Sequence, residues 1–429
     1  MSALIIFALL TVLMLSGMPV SISLGLTVLT FLFAFTATPL EAVALKLFTG
    51  IEKFEIMAIP FFILAGNFLT HGGVAKRMIY FATSMVGHLR GGLGLSAVFA
   101  CALFAAVSGS SPATVVAIGS ILLPAMVRAG YPKKFGVGVI ASSGGLGILI
   151  PPSIVMVMYA VSTNSSIGAL FMAGVVPGLL LALFLGFTTW YEAKKGNYPR
   201  EQPMSWVQRW DAFRKAIWGL ALILVVMGGI YSGLFTPTEA AAMSAVYAFF
   251  IAVFVYKDIG MKDVPKVLLN SANMSAMLLY IITNAVLFSF ILTNEQIPQG
   301  IAEWLTNSGI GMIGFLIAVN ILLLVMGSFM EPSSIILITA PILFPIATKL
   351  GIDPIHFGVM ITVNMEIGMI TPPVGLNLYV ASGVAKMGLT DCSKAVWPWL
   401  LTMLVFLMLI TYVPAISTWL PRQLGMIAG

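Results

Sequence analysis

Long apolar runs separated by short polar breaks make up most of the chain. The runs from about Ile167 to Tyr191, Asn270 to Thr293 and Ala395 to Ile416 are continuous, and those from Gly91 to Arg128 and Phe135 to Val161 are apolar on either side of a short break, all without alternation of apolar and polar positions. About 20 such residues wound as a helix cross the ~30 Å of hydrocarbon in a bilayer, whereas a transmembrane barrel would show short alternating strands. The pattern predicts helices. The opening run continues past the core of a cleavable signal peptide and lacks a basic leader, so it reads as a retained membrane segment kinked near Gly17-Met18-Pro19. Between Pro39 and Glu55, the charged residues Glu41, Lys46, Glu52, Lys53 and Glu55 recur among apolar positions at near-helical spacing. That suits a helix lying along the membrane surface, and equally a solvated connector.

Two stretches break the pattern in a different way. Gly91 to Arg128 is apolar except for SGSSPAT near its centre, and each flank of about 15 residues, or ~23 Å, is too short to cross. Both ends are basic, with His88 and Arg90 before it and Arg128, Lys133 and Lys134 after it. A segment that begins and ends on one side with a polar tip is a re-entrant hairpin. The next run is interrupted by SSGGLGILIPP. In the second half, Gly311 to Met326 and Ser333 to Thr348 enclose GSFMEPSS, and NMEIGMITPPVGLN interrupts the run that follows.

The halves superpose in sequence at an offset of 220 to 222 residues. Gly94 meets Gly314, Ser108 meets Ser328, Pro112 meets Pro332, Pro124 meets Pro345, Gly147 meets Gly368, and Pro151 and Pro152 meet Pro372 and Pro373. Matches in one order at the punctuation of the same elements indicate an internal repeat. The expected organisation is scaffold helices with a surface arm helix in 1–92, a first transport repeat in 93–191, and a cytoplasmic loop with further scaffold helices in 192–311. A second transport repeat in 312–416 and a tail in 417–429 complete it.

Composition and charge sharpen this picture. With 60% hydrophobic and 8% charged residues and a mean hydropathy of +1.06, the chain cannot coat a soluble globule. The net charge of +6 calls for no nucleic acid, because the basic residues cluster in short loops as orientation signals do. In the hydrophilic stretch after Tyr191, Lys194, Lys195, Arg200, Arg209, Arg214 and Lys215 outnumber Glu192, Glu201 and Asp211, which places it in the cytoplasm. The loop with Lys257, Lys262 and Lys266 falls on the same side. The connection carrying Glu295 and Glu303 has no lysine or arginine and falls outside. The first hairpin is then entered from the cytoplasm and the second from outside. The fold class is an all-α polytopic membrane protein with an inverted repeat, two re-entrant helical hairpins and two broken transmembrane helices, an architecture of transporters. Cys101 and Cys392 make neither a metal spacing nor a disulfide framework, and His71, His88 and His356 sit near segment ends.

A half-helix that stops at midplane offers carbonyls and the negative end of its dipole to a cation such as Na⁺, and one that starts there offers N–H groups to an anion. Ser108, Ser110 and Ser111 add hydroxyls at the first tip, with Gly147, Ile150 and Pro152 at the matching break. Gly327, Ser328, Gly368 and Thr371 occupy the equivalent places in the second half, which gives two cation sites related by pseudosymmetry. The same small residues would also serve close helix packing. Glu331 and Glu366 are carboxylates inside apolar segments, open to cation binding, proton carriage or a structural hydrogen-bonding role. A channel would rely on oligomeric symmetry about a pore rather than an inverted repeat in one chain. An intramembrane enzyme would need a constellation such as HExxH, which does not occur.

SGSSPATVVAIGS, FGVGVIASSGGLGILIPPSIVMVMYA, FMAGVVPG and GMITPPVGLNLYV closely resemble the large membrane subunit of TRAP transporters, and KLFTGIEKFEIMAIPFFILAGNFLTHGG resembles its C4-dicarboxylate branch. The likeness covers essentially the whole chain. It implies a Na⁺-coupled importer of the ion transporter superfamily in the bacterial inner membrane, moving substrate by an elevator stroke rather than acting as an enzyme. It also implies a periplasmic substrate-binding protein and a small four-helix membrane subunit. That subunit is expected as a separate chain, since this one opens with the large subunit's own first crossing. Succinate, malate and fumarate are the implied substrates, with sialic acid or another carboxylate as the alternative within the family. The family's cation sites carry over onto Ser108, Gly147, Ile150 and Pro152 for one ion and Gly327, Gly368, Thr371 and Val374 for the other. The substrate is expected between them, near Ser111, Pro112, Ser142, Pro332 and Asn364.

Overall fold

A computed structural model describes residues 2–36, 39–71, 73–307 and 311–427. Ser308 and Gly309 of the external connection, and Ala428 and Gly429 of the tail, lie outside the described residues. Every regular element among the described residues is helical. Among the described residues, seven helices are long and apolar enough to cross a membrane, or up to nine if each of two bent pairs is counted as one span.

The chain begins with α1 (Ser2–Leu15) and α2 (Val20–Phe35). In place of a single kinked span, these are two helices packed against each other, because Gly17 at φ +84° and Pro19 end one helix and start the next. The arm is α3 (Leu40–Ile51), which leads into α4 (Ala58–His71) and α5 (Val74–Val86). Lys53, just after α3, donates from Nζ to the Val161 carbonyl at 3.0 Å and to Asn164 Oδ1 at 2.6 Å, tying the arm to the first repeat.

The first hairpin is α6 (Gly92–Ser108) and α7 (Ser111–Arg128). The first broken helix is α8 (Lys133–Gly144), the single turn α9 (Leu146–Leu149) and α10 (Ile154–Thr163), bent by 40°. The long α11 (Ile167–Lys195) follows. The hydrophilic stretch is a loop only as far as Ser205. There Ser205 and Gln208 form a capping box, and α12 (Trp206–Ile223) starts with an Asp211–Lys215 pair one turn in. A wide π-type turn at 224–228 joins α12 to the short α13 (Gly229–Tyr231). Then come α14 (Pro237–Phe250), which packs along α4, and α15 (Val264–Asn294), which packs along α2, α3 and α4.

After the amphipathic α16 (Ile297–Asn307), the plan repeats. The second hairpin is α17 (Met312–Gly327) and α18 (Pro332–Lys349), and the second broken helix is α19 (Pro354–Gly368) and α20 (Leu376–Ala385). The counterpart of α11 is α21 (Leu389–Ala395) and α22 (Trp397–Tyr412), bent by 57°. The last helix, α23 (Ala415–Gln423), packs on α11 and α19. Proline sits in the first turn of α7, α14, α15, α18, α19 and α22, where its missing N–H leaves no bond unmade.

The two broken helices form the centre of the molecule. Residues 135–144 of α8 and 355–368 of α19 are buried all round, which their small and apolar composition allows. Tyr159 of α10 donates its hydroxyl to the Pro354 carbonyl at 2.8 Å, joining one repeat to the other. Pro151–Pro152 and Pro372–Pro373 are both cis.

Candidate cation and substrate sites at the helix breaks

In each repeat the hairpin tip closes on the break of the helix that follows it. In the first, Gly109 turns the tip in the left-handed region at φ +60°. A Cβ there would lie 2.8 Å from the Pro152 carbonyl oxygen, and a Cβ on Gly147 would lie 2.7 Å from the Ser110 carbonyl oxygen and 2.9 Å from Ser111 Cα. Tip and break therefore touch backbone to backbone, a distance that only glycine permits. Hydroxyls hold the seam. Ser108 Oγ and Thr114 Oγ1 share a hydrogen bond of 2.9 Å, and Thr114 Oγ1 reaches the Ser110 carbonyl at 2.9 Å. Ser153 donates from Oγ to the Ile148 carbonyl and accepts from Met156 N–H, so it bridges the break while capping α10.

The second repeat uses the same contact with different atoms. A Cβ on Gly368 would lie 2.6 Å from Gly327 Cα, and the Ser328 carbonyl accepts from Val374 N–H at 3.2 Å and Gly375 N–H at 3.1 Å. Asn377 N–H spans the break to the Met369 carbonyl at 2.9 Å. Thr371 turns its hydroxyl back onto the Ile367 carbonyl at 2.7 Å. The repeats differ in exposure: residues 142–149 and 151–153 are buried, whereas Phe329, Pro372, Pro373 and Val374 are exposed.

At each seam the C-terminal ends of two half-helices and the N-terminal ends of two others converge. The first pair presents partial negative charge and the second partial positive charge. The lining atoms are carbonyl and hydroxyl oxygens, a donor set that fits a hard monovalent cation, with N–H groups left for carboxylates. Ser108, Ser110, Ser111, Gly147 and Pro152 come together in the first site, and Gly327, Ser328, Gly368 and Val374 in the second. Ile150 sits at the edge of the first break, where its side chain packs on Gly178 of α11.

Of the substrate candidates, Ser111 and Ser142 share a neighbourhood organised by Asn377, which donates from Nδ2 to Ser111 Oγ at 2.6 Å and to the Ala141 carbonyl at 3.3 Å. The Ser142 hydroxyl and Asn377 Oδ1 are buried without a hydrogen-bond partner. Pro112 lies in the first turn of α7, beside Ser111. Pro332 opens α18 at the second tip, and Asn364 bonds to Asn320 Oδ1 at 2.8 Å on α17. No hydrogen bond links either to the Asn377 cluster among the described residues. Asn377, Thr114, Ser153 and Gly145 escaped the sequence reading. An amide in the first turn of an apolar half-helix was the available signal for Asn377.

The carboxylates part ways. Glu331 caps α18, accepting from Ser334 N–H at 3.1 Å and from the Ser333 and Ser334 hydroxyls. Glu366 is fully buried with neither oxygen hydrogen-bonded, and a Cβ on Gly145 would lie 2.6 Å from its Oε1. Gly145 is the residue 221 positions before it. The broken helices thus meet at their own repeat-mates, with one position empty of side chain to admit the other.

Residues 7–416 match the family model described as Tripartite ATP-independent periplasmic transporter, DctM component. The chain is 72% identical, over 99% of its length and 100% of the other, to a Rhodobacter capsulatus protein named C4-dicarboxylate TRAP transporter large permease protein DctM. A Pseudomonas aeruginosa protein of the same name is 55% identical over 94% of this chain and 95% of its own. In three dimensions the chain resembles the Alcanivorax borkumensis YdaH transporter, with a TM-score of 0.65 over 88% of this chain and 89% of that one. At 17% identity this is a likeness of fold.

Proposed function

The chain belongs to the DctM-component family of tripartite ATP-independent periplasmic transporters, large permeases of the bacterial inner membrane, and from that premise we propose that it imports C4-dicarboxylates together with Na⁺. The observation that carries the substrate class is the 72% identity across the full length of a C4-dicarboxylate permease. Members of the family work with a small membrane subunit and a periplasmic binding protein. We take the small subunit here to be a separate four-helix chain.

The chemistry of the seams supports the coupling ion. In this reading Ser108, Ser110, Ser111, Gly147, Ile150 and Pro152 surround one Na⁺, and Gly327, Ser328, Gly368, Thr371 and Val374 surround another. Each cation would hold a tip against its break by satisfying carbonyls that the half-helices leave open. The dicarboxylate then meets the N-terminal ends of α7 and α18, beside Ser111, Pro112, Ser142, Pro332 and Asn364, with Asn377 as a further contact. The two repeats would carry ions and substrate as one body past the flanking helices, an elevator stroke.

The test is uptake of labelled succinate by the complex of both membrane subunits with the binding protein in proteoliposomes. Uptake driven by an inward Na⁺ gradient and lost when K⁺ replaces Na⁺ is the expected result. Equal uptake under both gradients would overturn the Na⁺ assignment and leave the substrate class standing.

A further inference from the structure

Lys53 stands between the arm helix α3 and the one-turn helix Phe54–Met57, which packs with α4 against α10. Two of its three N–H donors are engaged, one by the Val161 carbonyl at 3.0 Å and one by Asn164 Oδ1 at 2.6 Å. Both acceptors belong to the C-terminal end of α10, where the last carbonyls have no partner in their own helix and the helix dipole is negative. Neighbouring carbonyls are served locally. Ser162 donates to Met158, Thr163 to Tyr159, and the N–H groups of Asn164 and Ser165 to Ala160. The Val161 carbonyl is completed from the arm. Asn164 holds its amide in place as the left-handed cap of α10, at φ +54°.

Other polar bonds stay within one body or the other. Inside the scaffold, Asn67 Nδ2 donates to Ser271 Oγ at 2.8 Å and the Tyr256 hydroxyl to the Lys215 carbonyl at 2.7 Å. Inside the pair of repeats, Trp399 Nε1 donates to Thr189 Oγ1 at 2.9 Å and Asn377 Nδ2 to Ser111 Oγ. Among the described residues, the side-chain hydrogen bonds that run from the helices of 2–91 and 206–307 to either repeat are those of Lys53. Much of the boundary is apolar, as where the Phe62 ring of α4 meets that of Phe171 on α11 edge to face, with 6.0 Å between centroids. Apolar attraction is non-directional and persists when one surface shifts along another, whereas a hydrogen bond is lost once its atoms part beyond about 3.5 Å. Lys53 is therefore the contact at this boundary that depends most on position.

We propose that Lys53 is a positioning residue for transport, a latch that holds the first repeat against the arm at one end of its travel and lets go of α10 in each cycle. The proposal rests on the elevator reading, and the two are told apart by which cross-link stops uptake.

Two links are made in the complex of both membrane subunits, with the buried Cys101 and Cys392 replaced by alanine. The first joins Lys53→Cys to Asn164→Cys with a short bis-methanethiosulfonate that a reductant cuts. The second joins α4 to α11 by irradiation of Phe62→p-azidophenylalanine, and peptide mapping reads the yield on α11. Labelled succinate uptake with the binding protein present is expected to fall in proportion to the linked fraction in both cases, and reductant is expected to restore it in the first. Lys53→Met is expected to lower the photochemical yield on α11 several-fold, because the latched position is less often occupied. Asn164→Gly, which keeps the left-handed cap and removes the oxygen, is expected to do the same, and Lys53→Arg, which keeps a cation of similar reach, to leave the yield unchanged. Co-purification with the small subunit checks that each variant assembles. Uptake that survives the first link but not the second would overturn the latch and leave the elevator reading standing. Uptake that survives both would overturn the elevator reading, and the latch with it. An unchanged yield in both Lys53→Met and Asn164→Gly would overturn the latch whatever the uptake.

Discussion

At Gly147 and Gly368 the structure gives a different reason for glycine than the sequence suggests. Their place in broken helices suggests a backbone conformation reserved for glycine, yet neither has a positive φ. What excludes a side chain is the opposing backbone, at 2.7 Å from a Cβ on Gly147 and 2.6 Å from one on Gly368. Even alanine must therefore push tip from break. Gly147→Ala and Gly368→Ala are expected to raise the Na⁺ concentration for half-maximal uptake about tenfold or more, since ~1.4 kcal/mol suffices for that factor. Ser108→Ala and Thr371→Ala should act less, because each hydroxyl also has a nearby partner in its own segment. An unshifted Na⁺ dependence in both glycine variants would move the cation sites elsewhere. Asn377→Ala removes the bonds from one repeat to Ser111 and Ala141 of the other. It should lower the melting temperature of the complex, with a loss of about 1–3 kcal/mol, and slow uptake. Retention of both would reduce Asn377 to packing. The sequence displays glycines, prolines and hydroxyls at these breaks but not which atoms face each other, so Gly145 opposite Glu366 was invisible in it.

At the level of elements, hairpins and breaks were legible because clustered glycine, proline and serine inside an apolar run interrupt the helix that the run would otherwise form. Their order, repeated at an offset of 220 to 222 residues, exposed the pseudosymmetry. Local capping was harder to see. The Ser205–Gln208 box starts α12 inside a stretch whose charge reads as loop, and α23 packs on α11 through a sequence that reads as a tail. The inversion of the repeats predicts opposite sides for their entrances. Single cysteines at Lys133 and Glu303, treated with an impermeant thiol reagent from the periplasm, should react only at position 303. Reaction at both positions would contradict the inversion.

The whole molecule carries more apolar surface than its own folding covers, on α1, α2, α3 and α22 among others, as expected of a chain that meets lipid and a second membrane subunit. The chain by itself in proteoliposomes is therefore expected to show no Na⁺-driven dicarboxylate uptake above the leak of empty vesicles, with uptake appearing when both partners are added. Strong uptake by the lone chain would sink the tripartite reading. One contact would bear on the rate of the proposed stroke. Gly66 of α4 lies beneath the Ser108 carbonyl, where a Cβ would come within 2.9 Å of the oxygen. If the tip moves in the proposed stroke, it would do so over a smooth stretch of α4, backbone on backbone, with no side chain at Gly66 to catch it. In that stroke the contact would work as a bearing surface, useful for low friction rather than for grip. Gly66→Ala would put a bump on that surface. Turnover should fall several-fold while the Na⁺ dependence keeps its midpoint, and a shifted midpoint at unchanged turnover would show that Gly66 shapes the ion site instead.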